Sequence, residues 1–490
     1  MTAVKYQRSN QIITRMPSMQ ILSRATENFT NKKDLDEAQP PSLLNKAFDK
    51  LENYLADLKK NKNTLSAEEH EATIARLTFA IGRTAIGDML SQFDESSTEI
   101  TVEEKNYRLK HKAKKVYQTS LGPIEIVRHV YQNRKKNTDG KSICPLELKA
   151  GIVEGYWSAK AAKHSAWLLA HLTPQETETA LLELGLMNPS RSSLDRLPKA
   201  LLQEWDKEIV THQKSLTELE AIPDEAVSMA TSLDGVMVGM KPDKTSQNKA
   251  SEWREASCGS VSFFDKDGER LQTTQYGRMP EHKKKCLKNL LREHTELALK
   301  NRPSLTLLHI ADGAQDNWCF FDEEMPVGFQ LTDYYHACQY LKKAFDAAYP
   351  KTPSKAKEKY DSYKAILRDK KDGIKTVLRA LRYLKQKNKS NDEIKTAVTY
   401  FANNQHRMNY ADAKEKNLPI GSGIIEATCK SLVSHRMKRS GMSWNLLGGQ
   451  SILTLRSLVK SNRFDKAWSS ITRQYKKEVK SHQNIVSLFG

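Results

Sequence analysis

A chain of 490 residues with 78 Lys and Arg against 59 Asp and Glu is too long for one ordinary domain, and a formal net charge of +19 marks a polyanion as its partner, nucleic acid first and acidic membrane second. Hydrophobic residues make up 38%, which supplies real cores and excludes a globally disordered chain. Six cysteines (Cys144, Cys258, Cys286, Cys319, Cys338, Cys429) form no C-x-x-C pair, which leaves a zinc ribbon or disulfide framework without support and fits a reducing compartment.

Residues 1–40 read as a polar tail without an apolar signal core, ending in the linker-like "NKKDLDEAQPPS". No apolar run approaches the ~20 residues of a spanning helix. A cytoplasmic protein without a membrane partner is expected. Residues 41–115 are expected to be helical: Leu43, Leu44, Ala47 and Leu51 recur on one helix face. In 116–150 the period changes. Val116–Thr119 and Ile124–Tyr131 flank Leu-Gly-Pro, the pattern of a β-hairpin. Basic Arg134, Lys135 and Lys136 follow it.

Residues 151–222 are helical again. Thr173 is placed to cap a helix through Ala180, Leu181 and Leu184, and Gly185 to end it or begin the turn. Ser190 is placed to cap a second helix through Leu194 and Leu197, which Pro198 is expected to kink or end. Helix, glycine turn and helix make a candidate helix-turn-helix, with Arg191 and Arg196 as candidate DNA contacts; plain helical packing gives the same pattern.

From Glu225 strands return. "AVSMATSLDGVMVGMKP" is an apolar strand carrying Asp234, and "REASCGSVSFFDKDGERLQTTQYG" gives two strands joined at a D-x-D-G turn. A basic helix over about 281–300 precedes a buried strand, Leu305–Ile310, that ends at Asp312. Another short strand and a helix follow. Strands then stop: 351–417 is Lys-rich and helical, an insertion ahead of the helix of Glu426. The fold class expected is mixed α/β, a catalytic core in two parts, 223–350 and 418–490, split by that insertion.

Asp234 inside a strand, Asp312 at a strand end and Glu426 near a helix start need a reason, because an unpaired buried carboxylate is costly. Turn chemistry and the helix dipole are bland reasons. A bound divalent cation is the sharper one, since Mg²⁺ takes hard oxygen ligands and needs few carboxylates. Glu426 also lies among Lys430, His435, Arg436, Lys438 and Arg439. Acids for metal and bases for phosphate belong together in a site that cuts nucleic acid. Lys430, Arg436, Lys438 and Arg439 are therefore candidate DNA contacts along one helical track. Trp444 beyond them reads as a core residue.

The strings "LDGVMV", "ADGAQDNW", "TDYYHACQYL", "RMNY", "LPIGSGIIEATCKSLVSHRMKRSGMSW" and "GGQSILTLRSLVKSNRFDKAW" resemble the Kra-type insertion-sequence transposases of bacteria, over roughly Tyr117–Trp468. The resemblance implies an RNase H-like core and DDE chemistry, in which Asp234 bridges two Mg²⁺ (or Mn²⁺) ions, Asp312 holds one and Glu426 the other. It implies that Asp333 and His336 belong beside the site, with His336 functional. It implies terminal inverted repeats and target DNA as partners, a homodimer or higher assembly on DNA, and a bacterial, nucleoid-associated location. Relatives often carry cysteines after the hairpin; here only Cys144 remains, so the segment departs from a zinc-binding pattern. An RNase H-like nuclease or resolvase, and a DNA-binding protein without catalysis, are the alternative functions.

Overall fold

The computed structural model describes residues 43–60, 65–133, 142–185, 187–242 and 252–482. The expected polar tail and Arg134, Lys135 and Lys136 lie outside the described residues. The chain divides into two units, residues 1–70 and 71–490. In the first, helix α1 (Leu43–Lys60) buries none of its residues. Tyr54 Oη there meets His70 Nδ1 at 2.7 Å. Helix α2 (Ala67–Ser91) begins in the first unit and continues into the second.

The second unit opens with an antiparallel sheet of β1 (Glu99–Val102), β2 (Lys105–Thr119), β3 (Gly122–Gln132) and β4 (Ser142–Ile143), joined at its edge by β10 (Lys480–His482) in the order β10-β1-β2-β3-β4. The expected hairpin is the β2–β3 pair, closed between Thr119 and Gly122. The helical expectation for 41–115 fails from Glu99 onward. Along β2, Tyr107 and Leu109 alternate with exposed cations and pack on Ile100, Val102 and Tyr131. That is a period of two, which a strand satisfies and a helix does not.

Helices α3 (Pro145–Ala150), α4 (Ala159–His171), α5 (Pro174–Glu183), α6 (Arg191–Lys207) and α7 (Ile209–Glu218) follow. Thr173 caps α5 in a full capping box with Glu176, and Ser190 caps α6. Gly185 takes φ +66 between them, the left-handed conformation that glycine adopts freely. Pro198 neither ends nor replaces the helix: α6 continues through it to Lys207. The missing backbone hydrogen bond is outweighed by burial of Leu194, Leu197, Leu201, Leu202 and Trp205, which belong to the same core as Met229, Leu233 and Val261. The second helix of the candidate helix-turn-helix is thus packed among helices, chiefly against Leu446–Lys460, within that core. Only its outer side, with Arg191, Ser192, Asp195 and Arg196, is exposed.

That central sheet comprises β5 (Ser228–Met240), β6 (Glu252–Phe264), β7 (Arg270–Arg278), β8 (Thr306–Ala311) and β9 (Phe329–Thr332), in the order β7-β6-β5-β8-β9. β5, β6 and β7 form an antiparallel meander; β8 and β9 add in parallel. The β6–β7 turn sets Gly268 at φ +81, and Asp265 Oδ1 accepts from the N–H groups of Asp267 and Glu269. Helix α8 (Lys285–Asn301) leads from β7 to β8, and α9 (Gln315–Glu323) from β8 to β9. Three antiparallel strands followed by two parallel ones, with helices on both faces, make an RNase H-like core within a mixed α/β fold.

Successive β5 side chains serve opposite layers. Met229 and Leu233 face the core shared with α6. Ala230 faces α10 (Tyr334–Ala348) and the insertion, α11 (Pro353–Asp369), α12 (Gly373–Lys387), α13 (Asp392–Asn404) and α14 (Tyr410–Glu415). Val238 and Met240 pack against α15 (Gly423–Cys429) and the π-helical turn Lys430–Ser434 that extends it into α16 (His435–Met437). Helices α17 (Leu446–Lys460) and α18 (Phe464–Thr472) return to the α6 layer. Among the described residues, no helix is long and apolar enough to cross a membrane.

Candidate active site

β5 and β8 pair in parallel from Ser228↔Thr306 to Ser232↔Ile310, and there the ladder stops. Two residues further in the same register stand Asp234 and Asp312. Parallel strands that part leave a crevice at their carboxyl ends, the usual place for a ligand in such sheets. Asp234 projects toward the layer of α10 and α15. Its carboxyl is raised above the ordinary value of 3.8, by burial first and then by the nearby Asp312 carboxylate; the Gly235 N–H, the Cys429 thiol and His336 oppose the rise. Gly235 N–H donates to Asp234 Oδ1 at 2.7 Å, and Cys429 Sγ donates to Oδ2 at 3.7 Å.

Asp312 is held in the turn before α9. Its Oδ1 accepts from Ala314 N–H and Asn317 Nδ2, both at 3.1 Å, and its carbonyl accepts from Trp318 Nε1 at 2.8 Å. Buried Asn317 keeps its own Oδ1 without a hydrogen-bond partner. Gly313 is required by close approach: a Cβ there would stand 2.5 Å from Tyr400 Cε2. His336, in the first turn of α10, faces Asp234 closely enough to lower its pKa.

Glu426 reaches this neighbourhood through its helix. Cys429, the thiol on Asp234, lies one turn further along α15. The Glu426 carboxylate itself is exposed and pairs with Lys430 at 2.8 Å. Among the described residues, no three His, Cys, Asp or Glu side chains stand close enough to hold a metal ion. Asp312 and His336 thus lie near enough to act on the charge of Asp234 without forming a ready-made ligand set, and the exposed Glu426 carboxylate faces Lys430.

The start of α15 is pinned by Asp333, which is buried. Asp333 accepts from His336 N–H at 2.7 Å and from Ser422 N–H at 2.6 Å, and the Ser422 hydroxyl adds a further short contact. Its own N–H donates to Ala311 O at 2.8 Å, and Tyr334 N–H to Ile420 O at 3.0 Å. Asp333 thus joins three elements, the end of β8 through its backbone N–H and the starts of α10 and the Glu426 helix through its carboxylate. Sequence reading marked Asp333 and missed Ser422, Asn317 and Cys429. "TD" before a helix is a cap signal, but nothing local tells which distant N–H groups the cap also receives.

The single cationic track beyond Glu426 is not present. The helix ends at Met437, so Lys438 and Arg439 lie beyond it, and the π turn Lys430–Ser434 shifts the phase between Glu426 and Arg436. Arg436 is buried, at 2% exposure. Arg439 pairs with Glu176 at 2.7 Å, Lys430 with Glu426, and Arg191 with Glu178 at 3.7 Å. Lys438 is exposed, its Nζ 5.9 Å from the Trp253 ring centroid, and Arg196 is exposed. Neither forms an ion pair among the described residues. Trp444 packs as a core residue, its Nε1 donating to Met437 O at 3.0 Å.

A model of an uncharacterised protein family (UPF0236) matches residues 60–139. No curated protein matches the chain. Among solved structures, the chain is similar to the Drosophila P element transposase strand transfer complex, at 12% identity and a TM-score of 0.24, over 65% of this chain and 82% of that one.

Proposed function

We propose that the chain is a DDE transposase of the Kra type, which cleaves the ends of an insertion sequence and joins them to target DNA. The observation that carries this reading is the buried Asp234 carboxylate where β5 and β8 part, within the electrostatic reach of Asp312 and His336 and in contact with Cys429 of the Glu426 helix. Two carboxylates close enough to repel, one of them desolvated, suit a divalent cation, which relieves both costs with hard oxygen ligands. Asp234, Asp312 and Glu426 would hold two Mg²⁺ or Mn²⁺ ions, with Glu426 leaving Lys430 to do so. Metal held by these residues would supply activation of the attacking water or 3′-hydroxyl and a share of the charge that builds on the phosphorus oxygens.

The chain's own residues supply the rest. Asp333 and Ser422 hold the Glu426 helix at the strand ends. Cys429 and Gly235 orient the Asp234 carboxylate. Lys430, released from Glu426, would meet a phosphate. The +19 charge draws the DNA, and two subunits would hold the two ends. The test is strand cleavage of a labelled terminal inverted repeat with Mg²⁺ or Mn²⁺, beside binding to the same DNA. Cleavage at the repeat end, lost in Asp234→Asn and Asp312→Asn with binding kept, supports the reading. Binding with no cleavage in either ion would oppose it. Cleavage without preference for the repeat would favour a nuclease.

A further inference from the structure

A separate cavity of about 280 Å³ opens where α5, α6, the start of α17 and the segment Met442–Trp444 meet. Asp234, Asp312, Glu426 and His336 are not among its lining residues. Arg436 lines it, 2% exposed. Among the described residues the Arg436 Nε has no hydrogen-bond partner, and Nη1 meets Met442 Sδ at 4.0 Å. The guanidinium lies 5.5 Å from the Trp444 ring centroid.

Arg463 shows what a buried arginine ordinarily receives in this protein. It is 1% exposed, and Glu220 takes its Nε and Nη2 while Gln213, Tyr276 and Thr217 take the remaining N–H groups. Arg436 has no carboxylate in ion-pair contact among the described residues. Glu176 is occupied by Arg439 at 2.7 Å, and Asp195, on the cavity wall, by Lys199 at 2.7 Å. Arg456 adds a second buried cation, bonded among the described residues to the carbonyls of Leu432, Ala170 and Ser431. Burial, then Arg456 and Arg439, push Arg436 down to about 10, so it stays charged at neutral pH. A buried charge without a counterion is costly, and an anion in the cavity removes that cost.

The rest of the wall fits a nucleotide. Lys241 lines it. Two helices begin there, α5 after Thr173 and α17 after Asn445, but each is already capped by its own side chains, so the anion would rest on Arg436 and Lys241. The remaining surface is mixed: Leu169, Leu194, Pro174 and Ile452 make an apolar part beside Trp444, and Thr173, Asp195, Lys199, Ser443 and Asn445 a polar part. Inorganic phosphate would leave that surface uncovered. We propose that this cavity binds a nucleotide phosphate, with the phosphate on Arg436 and Lys241 and the base against Trp444 and its apolar neighbours. A free mononucleotide and the end of a DNA strand present the same chemistry. The proposal does not rest on the metal-dependent reading above, because binding here needs no divalent ion.

The test is calorimetric titration of the full chain in EDTA with inorganic phosphate, dAMP, a 5′-phosphorylated short oligothymidylate and its unphosphorylated form. Saturable binding of dAMP or the phosphorylated oligonucleotide is expected, about 10-fold or more tighter than inorganic phosphate. Arg436→Gln should weaken it about 10-fold or more, since a hydrogen bond to a charged group disappears in a buried place. Lys241→Gln, at an exposed position and safe for folding, should weaken it about 3-fold. Preference for dAMP identifies a free nucleotide, and preference for the phosphorylated strand identifies a DNA end; either sustains the proposal. No saturable binding to the folded wild type, no advantage of dAMP or the phosphorylated strand over inorganic phosphate, or unchanged binding in Lys241→Gln would overturn it. If Arg436→Gln does not fold, Lys241→Gln decides.

Discussion

Asp333 accepts the backbone N–H of Ser422 at 2.6 Å, and through that contact the helix of Glu426 is tied to the strand ends that carry Asp312. The same carboxylate caps α10 through His336 N–H. A buried acid with three donors and no ion-pair partner among the described residues is a positioning device. Removing it frees the start of α15 and strands those donors.

Asp333→Ala should therefore lower stability by about 2–4 kcal/mol, the range for removing buried hydrogen bonds to a charged acceptor. Asp333→Asn keeps the shape but brings an NH₂ toward N–H groups, so it should recover only part of the loss. Chemical denaturation at neutral pH measures both. Wild-type stability in Asp333→Ala would remove the residue from this role.

Asp234 gives a pH signature. Its pKa is raised on folding, so the native state holds this proton more tightly than the unfolded chain. The resulting stability is present below the unfolded value near 3.8 and is lost as pH rises through the higher folded value. At neutral pH the buried charge is a net cost. Asp234→Asn should raise the melting temperature at pH 7, with the gain shrinking as pH falls toward 4. A uniform gain at every pH, or none, would contradict the burial and charge repulsion described for this residue.

Divalent ions should reverse that ordering. Mg²⁺ or Mn²⁺ bound by the native state stabilises it in proportion to RT ln(1 + [L]/Kd), about 2.7 kcal/mol at a hundredfold excess over Kd. Thermal unfolding with increasing Mn²⁺ should shift the wild type upward and leave Asp234→Asn in place. Equal shifts would put the ion elsewhere.

Much of the fold was legible because its signals are local. The alternation in β5 and β6, the D-x-D-G turn, the Thr173 and Ser190 caps and the strandless insertion each lie within a few residues. β10 was not legible: Lys480, Ser481 and His482 are all exposed and carry no apolar pattern. Pro198 misled because packing of the α6 core outweighs one backbone bond. Asp234 and Asp312 were visible as acids beside glycines, but their meeting depends on the β5–β8 register. Arg436 looked like a surface cation because charge is local, whereas the helix phase and the π turn that bury it are not.

DNA affinity should follow the cations that remain exposed. Lys438→Ala and Arg196→Ala should each reduce the slope of log K against log salt by about 0.9 for every phosphate left without its cation. Arg191→Ala and Arg439→Ala should change it less, because Glu178 and Glu176 already neutralise those side chains. Filter binding across a salt series measures all four. An unchanged slope in both Lys438→Ala and Arg196→Ala would move the DNA path to another face.

The most direct measurement is strand cleavage and joining by Glu426→Gln on a labelled inverted-repeat end with Mg²⁺ or Mn²⁺, beside binding to the same DNA. The amide keeps the shape and the helix start but loses the charge a hard cation requires. It also frees Lys430 from its 2.8 Å pair, so attraction to phosphate should not fall. Loss of both reactions with binding equal to or slightly tighter than wild type is the expected result. Cleavage at the wild-type rate would take Glu426 out of the site and contradict the assignment of the three acids to one metal-dependent centre.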